Sequence, residues 1–238
     1  DMQLHSFFIT KSDNLYISTL LENAFKYYIS FAQKLTKCDD ILVATLKKIE
    51  WLKGGTFEAV VEQALKAGVT FLQLREKNMT HEELVAEGRR IKKLADKYNV
   101  PFVINDDIYA AKEIDADGVH IGQSDMEYEK ARQLLGDDKI IGVTAPTLEL
   151  AKKAQEAGAD YIGVGAVFHT TTKKDAKDME KSTLIEITDN IDIPIVAIGG
   201  ISYDNVDKLA HTGVDGVAVI SAIFANEDVY SATSQLFN

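Results

Sequence analysis

Short apolar runs rich in β-branched residues alternate with helical stretches along most of the chain. The runs are Ile41–Thr45, Thr70–Leu74, Phe102–Ile104, Gly118–Ile121, Ile140–Val143, Tyr161–Val164, Pro194–Ile198 and Gly216–Ile220. Between them, the pattern predicts helices over Phe57–Lys66, His81–Tyr98, Ala110–Glu113, Met126–Leu135, Leu148–Ala157, Ser182–Asp189 and Asn205–Ala210, with a last short helix from Ala222. Near-continuous apolar strands separated by helices predict a parallel sheet with both faces covered. Eight such pairs predict a closed (β/α)8 TIM barrel, an α/β fold, rather than an open doubly wound sheet. Ala67-Gly68-Val69, Ala157-Gly158-Ala159 and Thr212-Gly213-Val214 each end a helix just before a strand, where glycine takes the left-handed cap conformation. Ala116-Asp117-Gly118-Val119 makes a comparable turn.

The texture changes near Asp39 and Asp40. Before them, Ile17, Leu20, Leu21, Ala24, Tyr28 and Phe31 recur at helical spacing, which predicts an extra N-terminal helix over Ser18–Thr36 after a short arm. The expected division is therefore an N-terminal arm and helix over 1–40 and a catalytic barrel over 41–238. Tyr16, Phe25, Tyr27, Tyr28 and Phe31 offer an aromatic face for a homo-oligomer contact; packing over the N-terminal end of the barrel is the simpler expectation.

Composition narrows the function. A net charge of −11 argues against nucleic acid, which needs a basic stripe, but not against anionic small molecules. Cys38 is the single cysteine, as expected in the reducing cytoplasm. Glu22, Asn23 and Lys26 break the longest apolar stretch, Tyr16–Ala32, so no membrane span is expected. The chain opens on Asp1 with no basic segment followed by an apolar one, so no secretory signal is expected, and the lack of an initiating Met suggests trimming.

In a (β/α)8 barrel the chemistry gathers at the C-terminal ends of the strands. The second strand runs into Gln73-Leu74-Arg75-Glu76-Lys77, where alternation points Gln73, Arg75 and Lys77 the same way, as a row for a polar ring and an anion or as a solvated charge cluster. Asn105-Asp106 ends the third strand, and either binds a substrate edge and a hard cation or caps the next helix. His120-Ile121-Gly122-Gln123-Ser124-Asp125 follows, with the same two readings for Asp125 and, for His120, a substrate contact or a structural role. No His/Cys spacing suits zinc, whereas two carboxylates with water and phosphate suit Mg2+. The stretch Gly163–Lys174 brings small residues, hydroxyls and lysine to a loop that either holds phosphate or is simply solvated. Gly199-Gly200 and Ile220-Ser221 fall after the seventh and eighth strands, where barrels commonly bind phosphate.

In order, Gln73-Leu-Arg-Glu-Lys77, Asn105-Asp106, Gly118-Val-His-Ile-Gly-Gln123 with Asp125, Thr170-Thr-Thr-Lys173 and Ala197-Ile-Gly-Gly-Ile201 closely resemble the thiamine-phosphate synthase family, from about Gly54 to Ala225. The resemblance implies a transferase of thiamine biosynthesis that joins hydroxymethylpyrimidine diphosphate to thiazole phosphate and releases pyrophosphate. It implies Mg2+ on Asp106 and Asp125, and diphosphate on Arg75, Lys77, Asn105 and Lys173. Gln73 and His120 would lie by the pyrimidine, and Thr170, Thr172, Gly200, Ile220 and Ser221 would hold the thiazole phosphate. Where the family has Ser in a Gly-Val-Ser-Ala segment, this chain has Thr144, which keeps the hydroxyl and adds a methyl group. Arg75, Lys77, Lys173 and Thr144 are the expected catalytic groups.

The family reaction is dissociative, so it needs charge stabilisation and positioning rather than a protein nucleophile, and no such triad is visible. Closure of the loop after Phe168 over a reactive cation is expected. The first strand departs from the family's Val-Thr-Asp-like ending, because Leu46-Lys47-Lys48-Ile49-Glu50 follows Thr45. Two other readings stand beside the synthase: a thiazole tautomerase-like barrel, and a non-catalytic thiazole-phosphate-binding or assembly module left by damage to that strand.

Overall fold

The computed structural model describes residues 41–46, 55–125, 127–170 and 179–237. Eight parallel strands close into a barrel in chain order, with β8 returning to β1. They are β1 (Ile41–Leu46), β2 (Phe71–Leu74), β3 (Phe102–Asn105), β4 (Gly118–Ile121), β5 (Ile140–Thr144), β6 (Tyr161–Gly165), β7 (Ile195–Ile198) and β8 (Gly216–Val219). The helices are α1 (Phe57–Lys66), α2 (His81–Lys97), α3 (Ile108–Glu113), α4 (Tyr128–Leu135), α5 (Leu148–Ala157), α6 (Lys181–Thr188), α7 (Ser221–Phe224) and α8 (Val229–Ser234), with a 3₁₀ turn at Val206–Leu209. The helix expected over Ser18–Thr36, and the aromatic face on it, lie outside the described residues. Among the described residues no helix is long and apolar enough to cross a membrane.

Where element ends differ from the sequence pattern, the cause is local. β3, β5 and β6 run on to Asn105, Thr144 and Gly165, because register partners His120, Gly163 and Ile198 support these non-apolar ends. β7 starts at Ile195 rather than Pro194, since proline has no N–H to give a ladder. The helix expected from Ala110 starts at Ile108, because the Asp107 carboxylate accepts the Ala110 N–H at 2.8 Å. The Asn205–Ala210 stretch forms the 3₁₀ turn instead of an α-helix. α8 was not anticipated; Asp228 caps it.

Alternation along closed strands sorts the side chains. Leu72, Leu74, Phe102, Ile104, Ile141, Ile162 and Ile195 face outward and join helix residues such as Ile91, Leu184 and Ile187 in one buried cluster. Inside the barrel Phe71 meets Tyr161 edge-on, with ring centroids 5.6 Å apart.

The N-terminal end of the barrel carries a repeated acidic clamp. Asp117, Asp160 and Asp215 stand just before β4, β6 and β8, and each carboxylate accepts the N–H of a residue on the preceding strand: Phe102 at 2.9 Å, Ile141 at 2.7 Å and Ile195 at 2.7 Å. Each aspartate also donates its own N–H to that residue's carbonyl, at 2.9 Å in all three cases. The clamps pin alternate strand pairs by geometry rather than by sequence identity. Asp160 additionally pairs with Arg132 at 2.7 Å. Because charge-assisted bonds to buried amides are among the stronger ones, Asp160→Ala is expected to cost about 1–3 kcal/mol. Urea denaturation measures this, and an unchanged midpoint would remove the clamp from the account of stability.

Candidate active site

A polar belt lines the strand ends from β1 to β5. The Thr45 hydroxyl donates to Gln73 Oε1 at 3.0 Å, and Gln73 Nε2 donates to Asn105 Oδ1 at 3.0 Å. Thr45 and Gln73 are both buried, so these bonds also satisfy groups that would otherwise be costly to hide. On the other side, His120 Nε2 lies 2.9 Å from Thr144 Oγ1 and Nδ1 lies 2.9 Å from the Tyr161 hydroxyl. Gln123 folds back to donate to the Thr144 carbonyl at 2.6 Å, tying the loop after β4 to the end of β5.

Sequence reasoning missed Thr45 and Tyr161. Thr45 was legible as a hydroxyl closing an apolar strand; Tyr161 sits at a strand start, a position that normally signals packing. β1 pairs with both β2 and β8, and its Thr45 joins the belt through Gln73.

Next to the belt is a pair of carboxylates. Asp106 follows β3 in the left-handed region, at φ 67°, with its N–H bonded to the His120 carbonyl at 2.8 Å. Its neighbour Asp107 takes the helix-capping role, so Asp106 is released from it. Asp125 is not a helix cap either: Glu127 precedes α4, and the Asp125 carboxylate accepts the Gly122 N–H at 2.5 Å. The Asp106 and Asp125 carboxyls are within hydrogen-bonding reach of each other. Burial, then the hydrogen bond and charge of Asp125, push Asp106 up to about 6, while Lys77 and Arg75 pull it back. Lys77 Nζ lies 3.6 Å from Asp106 Oδ2 and is itself exposed.

Such a pair resists full ionisation unless a cation lies between its members. Hard oxygen donors suit Mg2+, which takes one or two carboxylates and completes its shell with water and phosphate. Among the described residues no three His, Cys, Asp or Glu side chains gather into a metal cage.

The strands β6 to β8 end in backbone rather than in charged side chains. Past β6, Val167 and Phe168 donate their N–H groups to Ile198 and Gly199 at 3.0 and 3.1 Å, extending the ladder beyond the sheet. Gly200 has φ 66°, and a Cβ there would lie 2.3 Å from the His169 carbonyl oxygen. Asn205 holds the turn, donating to the Gly200 carbonyl at 2.9 Å and accepting from the Ser202 N–H at 2.9 Å. Ile220 turns out of β8, and Ser221 starts α7, so first-turn amides without helical partners lie beside the glycine pair. Thr170 is half-buried just past this ladder. Thr172 and Lys173 lie outside the described residues.

The structure thus brings Gln73 to Asn105, His120 to Thr144, and Asp106 to Asp125 with Arg75 and Lys77 close by. Gly200, Ile220 and Ser221 form a separate group at the adjacent ends of β7 and β8.

The family model for thiamine monophosphate synthase matches residues 42–223. The thiamine-phosphate synthase of Clostridium tetani is 49% identical over 185 residues, which cover 78% of this chain and 88% of that protein. The thiamine-phosphate synthase of Clostridium novyi is 48% identical over 189 residues, covering 79% and 93% respectively. Among solved structures, thiamine phosphate pyrophosphorylase from Pyrococcus furiosus superposes with a TM-score of 0.76 at 37% identity, covering 84% of this chain and 94% of that one. With its barrel closed, its strand-end motifs in place and most of its length matched, this chain belongs to the thiamine monophosphate synthase family.

Proposed function

We propose that the chain couples hydroxymethylpyrimidine diphosphate to thiazole phosphate, giving thiamine phosphate and pyrophosphate, with 41–238 as the catalytic unit. The observation that carries this reading is the Asp106–Asp125 pair flanked by Arg75 and Lys77. A monophosphate ligand alone would give little reason to hold two carboxylates together near two cations. This favours the synthase over a tautomerase-like barrel. The pairing of β1 with both β2 and β8 argues against a first strand too damaged to close the barrel.

In the proposed reaction the carbon–oxygen bond to the diphosphate breaks, and the leaving group takes the electron pair. The thiazole nitrogen lone pair then forms the new carbon–nitrogen bond, so no protein group has to be attacked or deprotonated. Arg75, Lys77 and Lys173 offset charge on the departing diphosphate, and Asn105 orients it. Gln73 and His120 lie by the pyrimidine, with Thr144 reaching the reacting edge. Gly200, Ile220 and Ser221, with Thr170 and Thr172, hold the thiazole phosphate and fix the acceptor in line. Asp106 and Asp125 would hold Mg2+, which when bound neutralises charge on the diphosphate.

Turnover is expected to vanish in chelator and return with added Mg2+, and Asp106→Asn should lower kcat by about 100-fold or more. A coupled assay that follows thiamine phosphate and pyrophosphate checks both. Full activity in chelator would sink the metal role, and tight thiazole-phosphate binding without product would favour the tautomerase-like or binding-module reading.

Gly200→Ala tests the phosphate turn separately. The added methyl meets the His169 carbonyl, so the KM for thiazole phosphate is expected to rise about ten-fold, a cost of the size set by forcing a side chain into left-handed backbone. The KM for the pyrimidine diphosphate should stay nearly constant; equal rises in both would point to general unfolding of the loop instead.

A further inference from the structure

Tyr161 takes no part in the coupling scheme, yet its hydroxyl reaches the site through one intervening ring. The residue opens β6 inside the barrel and is 7% exposed. Its ring occupies the space left by Gly142, where a Cβ would stand 2.1 Å from it. From there the phenol approaches His120 Nδ1 at 2.9 Å, and the opposite nitrogen of the same imidazole approaches Thr144 Oγ1 at 2.9 Å. A chain of phenol, imidazole and hydroxyl therefore runs from the closed interior to the end of β5.

A neutral imidazole has one donor and one acceptor nitrogen, so this chain has two self-consistent senses. In the first, the phenol donates to Nδ1, the proton sits on Nε2, and Nε2–H donates to Thr144. The Thr144 hydrogen is then left to point outward at a ligand acceptor. In the second, every bond reverses, and Thr144 offers only lone pairs to the ligand.

The first sense is the better supported. Burial pushes the Tyr161 phenol upward, so it keeps its hydrogen. A buried donor left without an acceptor costs more than an oxygen with an unused lone pair. The methyl group of Thr144 also narrows its side-chain rotamers, which keeps the hydroxyl aimed in one direction.

We propose that Tyr161 is a positioning residue that holds His120 as the Nε2–H tautomer and so makes the Thr144 hydroxyl a donor to an acceptor atom of the pyrimidine substrate. The identity of that substrate rests on the function proposed above; the direction of the relay does not.

The test uses the full chain with 15N-labelled histidine, free of substrate, and long-range proton–nitrogen correlation spectra to identify the protonated ring nitrogen of His120. The wild type should carry the proton on Nε2. Tyr161→Phe keeps the ring over Gly142 and removes only the hydroxyl that favours a bare Nδ1, so the preference for Nε2–H should weaken and a fraction of the Nδ1–H form should appear. In the coupled assay, Tyr161→Phe should lower kcat/KM for the pyrimidine diphosphate about ten-fold, the scale of one lost hydrogen bond, while the KM for thiazole phosphate holds. Thr144→Val should cost a similar factor, and combining it with Tyr161→Phe should add little, because both cut one relay. An Nδ1–H tautomer in the wild type, an unchanged tautomer in Tyr161→Phe, or fully additive losses would each overturn the proposal. The wild-type spectrum decides the tautomer even where a variant folds poorly. Absence of turnover in the wild type would instead sink the proposed activity and leave the spectra standing.

Discussion

The interior of an eight-stranded barrel has room for side chains and nothing else, and this limit shapes the whole site. With the register closed from β1 to β8, every second residue of each strand must enter that volume. Tyr161 fits only because Gly142 supplies no side chain beneath it, and a Cβ at Gly163 would crowd the His120 ring at 3.2 Å. The rigidity of this filling carries the polar groups of the belt to fixed positions. A hydrogen-bonded pair such as Thr45–Gln73 or His120–Thr144 is consequently set by the sheet before any ligand arrives.

That preorganisation matches the proposed reaction, which makes charge and needs no attack on the protein. A diphosphate leaving from a pyrimidinylmethyl carbon gives an anion and a cation close together. Residues already oriented by the barrel have little reorganisation left to undergo as those charges appear. The chain's overall charge of −11 works against an anionic substrate at long range. In the proposed reaction local cations must therefore dominate at the mouth, and Arg75 and Lys77, which follow β2 directly, are the cations placed for that role.

Much of this was legible in the sequence, for physical reasons that also mark where legibility ends. Apolar strands bounded by helices with left-handed caps disclosed the barrel, because that pattern has few other solutions. Gly158 and Gly213 do take positive φ, and where the fourth strand has no such glycine, Asp115 takes it instead at 54°. The roles of Asp106 and Asp107 could not be separated from adjacency alone. Either residue type can cap a helix, and only the backbone turn at Asp106 decides that Asp107 does so. Tyr161 stayed hidden for a different reason. Its function depends on a nitrogen 41 positions earlier in the chain, and nothing local to a tyrosine at a strand start announces such a partner.

Aspartate serves opposite purposes at the two ends of the barrel, and the contrast follows from what surrounds each carboxylate. At the N-terminal end Asp117, Asp160 and Asp215 each meet a backbone N–H that has no other strand to pair with, so the acid completes the sheet. At the C-terminal end Asp106 meets another carboxyl within a partly buried pocket, and its ordinary ionisation is opposed there. The first arrangement is satisfied within the chain. The second is a deficit that protonation or a cation relieves, and Lys77 at 3.6 Å offsets part of it. Stability is thus kept at the end where acids are paired, while the opposite end holds a charge problem that the proposed Mg2+ would relieve.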